Sequence, residues 1–364
     1  MPSTLIPPSN EKVIVGMSGG VDSSVAALIL KQKGFHVEGV SFILYEARLR
    51  REPSYRHVAC CSIQAIKEAA LVASQLDIPH TIVDLREEFI DKVINPFIDA
   101  YTRGLTPNPC VLCNRYIKFP HLLRIADEKG ASYISTGHYA RIQDGSLLKG
   151  IDRKKDQSYV LYVINKGDIG RLIFPLGEMT KTEVRRIANS LNLYSAKRPE
   201  SQEICFIEDK RYGKFIEDFI NPVEGPIIEI KTGKVLKTHK GIFYYTIGQR
   251  RGLGISSREP YYVVKIDPEQ NTVYVGSKEE VYRKEIMVED LNILEPQIFR
   301  DFPVRATVKI RSTMPDVGAT IYPEKNGARI IFDSPQWAPA PGQSAVFYDN
   351  ECVIGGGVIQ KILG

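Results

Sequence analysis

The chain has 364 residues, 43% of them hydrophobic and 25% charged, enough for two or three domains with substantial cores. Its 48 lysines and arginines against 43 acids leave a formal charge of +5, too mild to mark a nucleic-acid binder unless the charges cluster. No apolar run reaches the roughly 20 residues that span a bilayer, and six irregularly placed cysteines exclude a disulfide scaffold. The opening MPSTLIPPSNEK lacks the basic and apolar segments of a signal peptide, so it reads as a short disordered lead in a cytoplasmic protein with no membrane association.

In chain order, VIVG reads as a buried strand and SSVAALILKQKG as a helix stopped by Gly34. FHVEGVSFILY is a second strand, SIQAIKEAALVASQLD a second helix and IPHTIVDL a third strand. One long helix is expected over REEFIDKVINPFIDAYTRG, then a loop TPNPCVLCN stiffened by Pro107 and Pro109, the helix FPHLLRIADEKG and the strand ASYISTGHY. This alternation predicts a parallel sheet covered by helices on both faces. KTEVRRIANSLNL is a helix with a capping box at Thr180 and Glu183.

From about Tyr212 the texture changes to short strands punctuated by Gly and Pro, such as GPIIEIKTGKVLK, YYVVKIDPEQNTVYVGS and QSAVFYDNECVIGGGVI. The reading is therefore α/β followed by β: an α/β domain over residues 1–211, a small mixed domain over 212–278 and a terminal β-barrel over 279–364.

The strongest motif is VIVGMSGGVDSS, where a strand runs through Ser18-Gly19-Gly20 into a helix opened by Asp22-Ser23-Ser24. Glycines let backbone N–H groups approach an anion, and the helix N-terminus adds dipole and unpaired donors. No Gly-Lys-Ser/Thr follows, so this is not a Walker A loop. It matches the SGGxDS pyrophosphate loop of enzymes that adenylate a carbonyl oxygen and release pyrophosphate, with Asp22 placed to help hold Mg2+. That leaves the nucleophile open: nitrogen would make an amide- or guanidine-forming synthetase, sulfur a thiolase.

Cys110, Cys113 and Cys205 are the chemical candidates. One thiol can carry a persulfide and a second can release its outer sulfur by forming a disulfide bond. A zinc site would want a second cysteine pair, which is missing. Cys60, Cys61 and Cys352 read as packing residues. The segments RLRREPSYRH (48–57) and IDRKKDQSY (151–159) are basic loops with tyrosine interspersed, either solvated faces or RNA contacts.

GMSGGVDSS, TPNPCVLCN, STGHYAR, KDQSYVLY, ESQEICFI, TIGQRRGLG and APGQSAVFY occur here in the order of one family. Over nearly its whole length the chain resembles the bacterial tRNA-specific 2-thiouridylases (MnmA/TrmU), which thiolate the wobble uridine of lysine, glutamate and glutamine tRNAs. The resemblance implies an adenine nucleotide α-hydrolase-like catalytic domain and an ATP- and Mg2+-dependent tRNA-uridine 2-sulfurtransferase supplied by a persulfide or sulfide donor protein. It assigns ATP to Gly16, Met17, Ser18, Gly19, Gly20, Val21, Asp22 and Ser23, with Phe42 near the adenine and Gly137 as a further contact. Asn108, Pro109 and Cys110 would face the flipped-out base, Cys113 would be the nucleophile and Cys205 the persulfide carrier. His138, Lys155, Asp156, Gln157, Arg311, Ser312 and Gln343 fall at tRNA-contacting positions. Two departures stand out: many members have Asp where this chain has Cys110, and often Tyr where it has Ser312. The extra thiol favours a second mechanism, in which Cys110, Cys113 and Cys205 hold a 4Fe–4S cluster whose open iron binds hydrosulfide. Both mechanisms stay open at the level of sequence, as does the amidating synthetase.

Overall fold

A computed structural model describes residues 10–45, 63–198, 204–207 and 212–363, and the contacts below are among these. The N-terminal lead, the basic segment 48–57, Cys60 and Cys61 lie outside the described residues. The chain forms two compact units, one from Met1–Ile94, Cys110–Phe206 and Glu351–Val353, the other from Asn95–Pro109, Ile207–Asn350 and Ile354–Gly364.

The first unit is built on a five-stranded parallel sheet, with β1 (Lys12–Gly16), β2 (His36–Ile43), β3 (His80–Asp84), β4 (Tyr133–Ser135) and β7 (Leu172–Ile173) in the order β3-β2-β1-β4-β7. The central strand β1 has Val13, Ile14 and Val15 fully buried, the unbroken apolar run expected of a strand covered on both faces. Val13 and Val15 share one core with α1 (Val21–Gln32), α2 (Ile63–Gln75) and α7 (Lys181–Ser190). Gly34 ends α1 at φ +90°, and the Phe35 N–H then donates to the Leu30 carbonyl as the chain turns into β2.

The long helix expected over residues 86–104 is interrupted. It runs as α3 (Arg86–Phe89), a widened π-type turn at Ile90–Ile94, and α4 (Asn95–Thr102). Pro96 explains this: it has no N–H to give, and its ring crowds the carbonyl one turn earlier. The same grammar recurs after the cysteines, where α5 (Pro109–Cys113) passes through a widened turn at Asn114–Lys118 into α6 (Phe119–Glu128), which carries Pro120. The expected TPNPCVLCN loop is therefore partly helical, because Pro109 stands at the first helical position, where a missing N–H costs nothing. A hairpin that the sequence reading passed over, β5 (Ala140–Gln143) and β6 (Ser146–Lys149), turns at Asp144-Gly145 with both φ values positive, +50° and +72°.

In the second unit, α8 (Tyr212–Glu217) precedes a four-stranded sheet ordered β10-β11-β8-β9, from β8 (Gly225–Glu229), β9 (Val235–His239), β10 (Tyr262–Asp267) and β11 (Thr272–Gly276). Six further strands follow: β12 (Tyr282–Ile293), β13 (Val304–Lys309), β14 (Val317–Glu324), β15 (Gly327–Trp337), β16 (Ser344–Asp349) and β17 (Cys352–Leu363). They run in the order β12-β15-β14-β13-β16-β17, and β12 pairs with β17 to close the barrel and remove its edges. Among the described residues no helix is long and apolar enough to cross a membrane.

One buried charge holds the first sheet together. Glu38 on β2 is 6% exposed and bridges Lys12 of β1 at 3.2 Å and Lys129 at the end of α6. Burial pushes its pKa up, but the two ammonium groups outweigh that and hold the carboxyl below its ordinary 4.5. Its contribution is thus complete above the ordinary value and is lost as pH falls through the folded one. Glu38→Gln should destabilise the chain by about 1.5–3 kcal/mol at neutral pH. Denaturant melts at about pH 7 and about pH 4 should show that gap narrowing in acid.

Candidate active site

The glycine loop forms between β1 and α1. Gly19 adopts φ +71°, and a Cβ there would lie 2.1 Å from the Ala65 carbonyl oxygen, so only glycine fits. Ser23 Oγ accepts from the Ser18 N–H at 3.2 Å and donates to the Gly20 carbonyl, and Ser24 Oγ donates to the same carbonyl at 2.8 Å. Gly20 is the N-cap of α1 and supplies no side-chain cap, leaving that end dependent on backbone and ligand. The loop is held from below as well: the Met17 N–H donates to Val40, and Ser41 Oγ donates to the Met17 carbonyl while taking a hydrogen bond from His80. Burial keeps His80 below its ordinary pKa and hence neutral near pH 7.

The structure brings Gly137 to this loop: a Cβ on it would sit 2.6 Å from the Ser23 nitrogen and 2.7 Å from the Asp22 carbonyl carbon. Phe42 is half-buried on β2, edge-on to His121 at 6.1 Å. Three residues that sequence reasoning missed complete the site. Lys181 Nζ lies 2.7 Å from both carboxylate oxygens of Asp22, the Tyr139 hydroxyl donates to Asp22 Oδ1 at 2.8 Å, and Arg198, paired with Glu68 at 2.8 Å, places a guanidinium nitrogen beside Gly19. Only one of them left a trace in the sequence, a lysine at the start of a helix that would be better served by an acid. Both oxygens of Asp22 are thus paired with an ammonium, and Asp22 is the carboxylate that would hold Mg2+. Mg2+ fits such a site when phosphate oxygens supply its other ligands.

Cys113 ends α5 and is buried at 8% exposure, whereas Cys110, one turn earlier, is exposed. Cys205 is half-buried next to Phe206, which is anchored edge-on to Phe89 at 5.7 Å and to Tyr45 at 6.3 Å. Cys110, Cys113, Cys205 and Cys352 all carry thiols. Among the described residues no three His, Cys, Asp or Glu side chains are grouped to hold a metal ion. A 4Fe–4S cluster needs thiolates converging on one volume, and the three cysteines as placed do not fit it.

The expected RNA-contacting residues separate into two kinds. Asp156 uses its carboxylate on the N–H groups of Gly150 and Ser158 and on the Ser158 hydroxyl, and Gln157 accepts from the Tyr139 N–H at 3.0 Å; both shape the loop that presents Lys154 and Lys155. His138 is buried, stacked on Phe119, and bonded to Thr136 at 2.6 Å. Burial first, and Lys118 second, push its pKa well down, so it offers no positive charge to a phosphate. In the second unit one Arg311 nitrogen donates to the carbonyls of Ile247 and Ala338 at 2.9 Å each, Ser312 is exposed and Gln343 half-buried, and Asn108 and Pro109 lead into α5.

Gly137→Ala should cost about 1–3 kcal/mol by overpacking and weaken nucleotide binding by roughly tenfold or more. Gly167→Ala, where a Cβ meets nothing within 4 Å, should do neither. Calorimetric titration of both variants checks this.

Family models described as a tRNA methyl transferase HUP domain, a tRNA methyl transferase PRC-barrel domain and an aminomethyltransferase β-barrel domain match residues 11–209, 213–277 and 283–359. A tRNA-specific 2-thiouridylase MnmA of Acetivibrio thermocellus is 44% identical over 360 residues, 97% of this chain and 100% of the relative. A second from Thermoanaerobacter sp. (strain X514) is 46% identical over 97% of this chain and 99% of its own. One from Clostridium botulinum is 42% identical over 98% and 99%. The model descriptions speak of methyl transfer and these relatives of thiolation, and the motif order and full-length identity agree with the relatives. The chain belongs to the tRNA-specific 2-thiouridylase family.

Proposed function

We propose that the protein is a cytoplasmic tRNA-uridine 2-sulfurtransferase that activates the wobble uridine of lysine, glutamate and glutamine tRNAs with ATP. The observation that carries this reading is the presence of a nucleotide loop and the thiols Cys113 and Cys205 in one compact unit. An amidating synthetase with the same loop has no use for the thiols.

In the first step the uridine C2 oxygen attacks the α-phosphorus and pyrophosphate leaves with the bridging electron pair. The backbone N–H groups of Gly19 and Gly20 and the N-terminus of α1 hold the phosphates. Asp22 would hold Mg2+, which supplies charge neutralisation at the phosphates when bound. The base, now O-adenylated, is electrophilic at C2. The terminal sulfur of a persulfide on Cys205, loaded by a donor protein, attacks C2 and AMP leaves with the old oxygen. Cys113 then attacks the inner sulfur, forming a Cys113–Cys205 disulfide and leaving the electron pair on the thiocarbonyl; a thiol reductant resets the pair. Cys110 shapes the base pocket with Asn108 and Pro109. Lys154 and Lys155 and the terminal barrel grip the RNA backbone, with Arg311, Ser312 and Gln343 on the barrel side.

Asp22→Ala should remove most AMP and pyrophosphate formation. Cys113→Ala and Cys205→Ala should each abolish 2-thiouridine while pyrophosphate release continues in the presence of unmodified tRNA. Cys110→Ala should keep substantial thiolation with a persulfide donor. Iron-dependent activity that vanishes in Cys110→Ala would replace the relay with a cluster mechanism, and pyrophosphate release indifferent to tRNA would remove the substrate assignment.

A further inference from the structure

Lys181 is the first residue of α7, and the capping box of Thr180 and Glu183 already completes that helix end without it. A cation there opposes the helix dipole. The side chain is nevertheless ordered into the protein: it is 12% exposed and reaches both oxygens of Asp22, 159 residues away in sequence. Its backbone N–H is fixed by Asp152 at 2.9 Å, and its ammonium lies 5.8 Å from the centre of the Tyr139 ring. The result is a positioned ammonium beside the first turn of α1, a helix end that Gly20 leaves without a side-chain cap.

A carboxylate in the first turn of a helix is already favoured by the dipole. Asp22 therefore has less need of a permanent cation than a transferring phosphoryl group has. The ammonium can exchange one set of oxygens for another without moving its backbone, since a lysine head turns on a flexible stem.

We propose that Lys181 is a catalytic residue of the adenylation step, whose ammonium leaves the Asp22 carboxylate for the oxygens of the β- and γ-phosphates. This rests on the assignment of the loop to ATP. As the bond from the uridine oxygen to the α-phosphorus forms, the bond to the bridging oxygen breaks and its electron pair departs with pyrophosphate. Lys181 donates hydrogen bonds to that accumulating charge and keeps its protons. The same exchange frees the carboxylate of Asp22 for a divalent cation. Asp22 and Lys181 thus occupy each other, and a polyanion has to compete with Asp22 for the ammonium.

That competition gives the two residues opposite effects, which a bridge serving only the fold would not. Pyrophosphate alone is titrated calorimetrically into the full chain with chelator and no metal, and AMP in parallel. Lys181→Met should weaken pyrophosphate binding by about tenfold or more and leave AMP within about twofold. Asp22→Asn should tighten metal-free pyrophosphate binding severalfold, because the competing and repelling carboxylate is gone. Variants that shift pyrophosphate affinity in the same direction, or not at all, overturn the proposal. Should Lys181→Met melt below the assay temperature, Asp22→Asn against wild type decides alone, and equal or weaker binding in Asp22→Asn overturns it. A wild-type chain that binds neither AMP nor pyrophosphate would instead refute the nucleotide assignment, and this proposal with it. In turnover with Mg2+, Lys181→Met should lower kcat for pyrophosphate release by about 10²–10³-fold, the loss seen when one donor to a developing anion is removed.

Discussion

Asp22 lies in the first turn of α1, and two separate parts of the first unit, α7 and the segment between β4 and β5, converge on it. Lys181 comes from α7, Tyr139 from the turn before β5, and Gly137 packs its bare Cα against the peptide of Asp22 and Ser23. The arrangement has to satisfy two opposed demands. The backbone donors of the loop must remain uncovered so that an anion can reach them, and the carboxylate among them must not repel that anion. Glycine meets the first demand at positions 19 and 137, where any Cβ would collide with main chain. A lysine on a flexible stem meets the second without closing the site.

Around that point the rest of the unit acts as a frame. The buried strand β1 sets the height of the loop, and the chain of hydrogen bonds from His80 through Ser41 to the Met17 carbonyl pins its first turn. Glu38, shared by Lys12 and Lys129, ties β1, β2 and the end of α6 at the opposite end of the strands. The thiols stand on differently built supports. Cys113 follows one helical turn begun by Pro109, and Cys205 is carried by the seating of Phe206 on Phe89 and Tyr45. A relay needs only that two thiols meet in turn, whereas a cluster needs three to converge at once.

Much of this could be read from local sequence. The run VIVG followed by Gly-rich and acidic residues announces a strand, an anion loop and a helix start, and the parallel sheet and the closing barrel followed from periodicity. Interruptions were harder. Pro96 sits inside a strong helical pattern and Pro120 at the start of another, and each follows a widened turn rather than a break. The Asp-Gly turn at 144–145 carried a plain hairpin signal that its weak flanking strands concealed. A lysine where a helix start favours an acid hinted at Lys181, but its pairing with Asp22 could not be read from spacing, because contacts across 159 residues are made by the fold. Family correspondence assigned Asp156, Gln157 and His138 to tRNA contacts; within the chain Asp156 and Gln157 hydrogen-bond in their own loop, and His138 is buried and neutral.

The central claim is that the loop activates the uridine oxygen itself, so that sulfur replaces it with departure of AMP. Isotope transfer tests this most directly. Unmodified substrate tRNA carrying ¹⁸O at C2 of the wobble uridine, thiolated in a single turnover with ATP and a persulfide donor, should deliver the label into AMP, one atom for each 2-thiouridine formed. Label found in pyrophosphate or in water, with none in AMP, would contradict adenylation of the base and with it the account of the site.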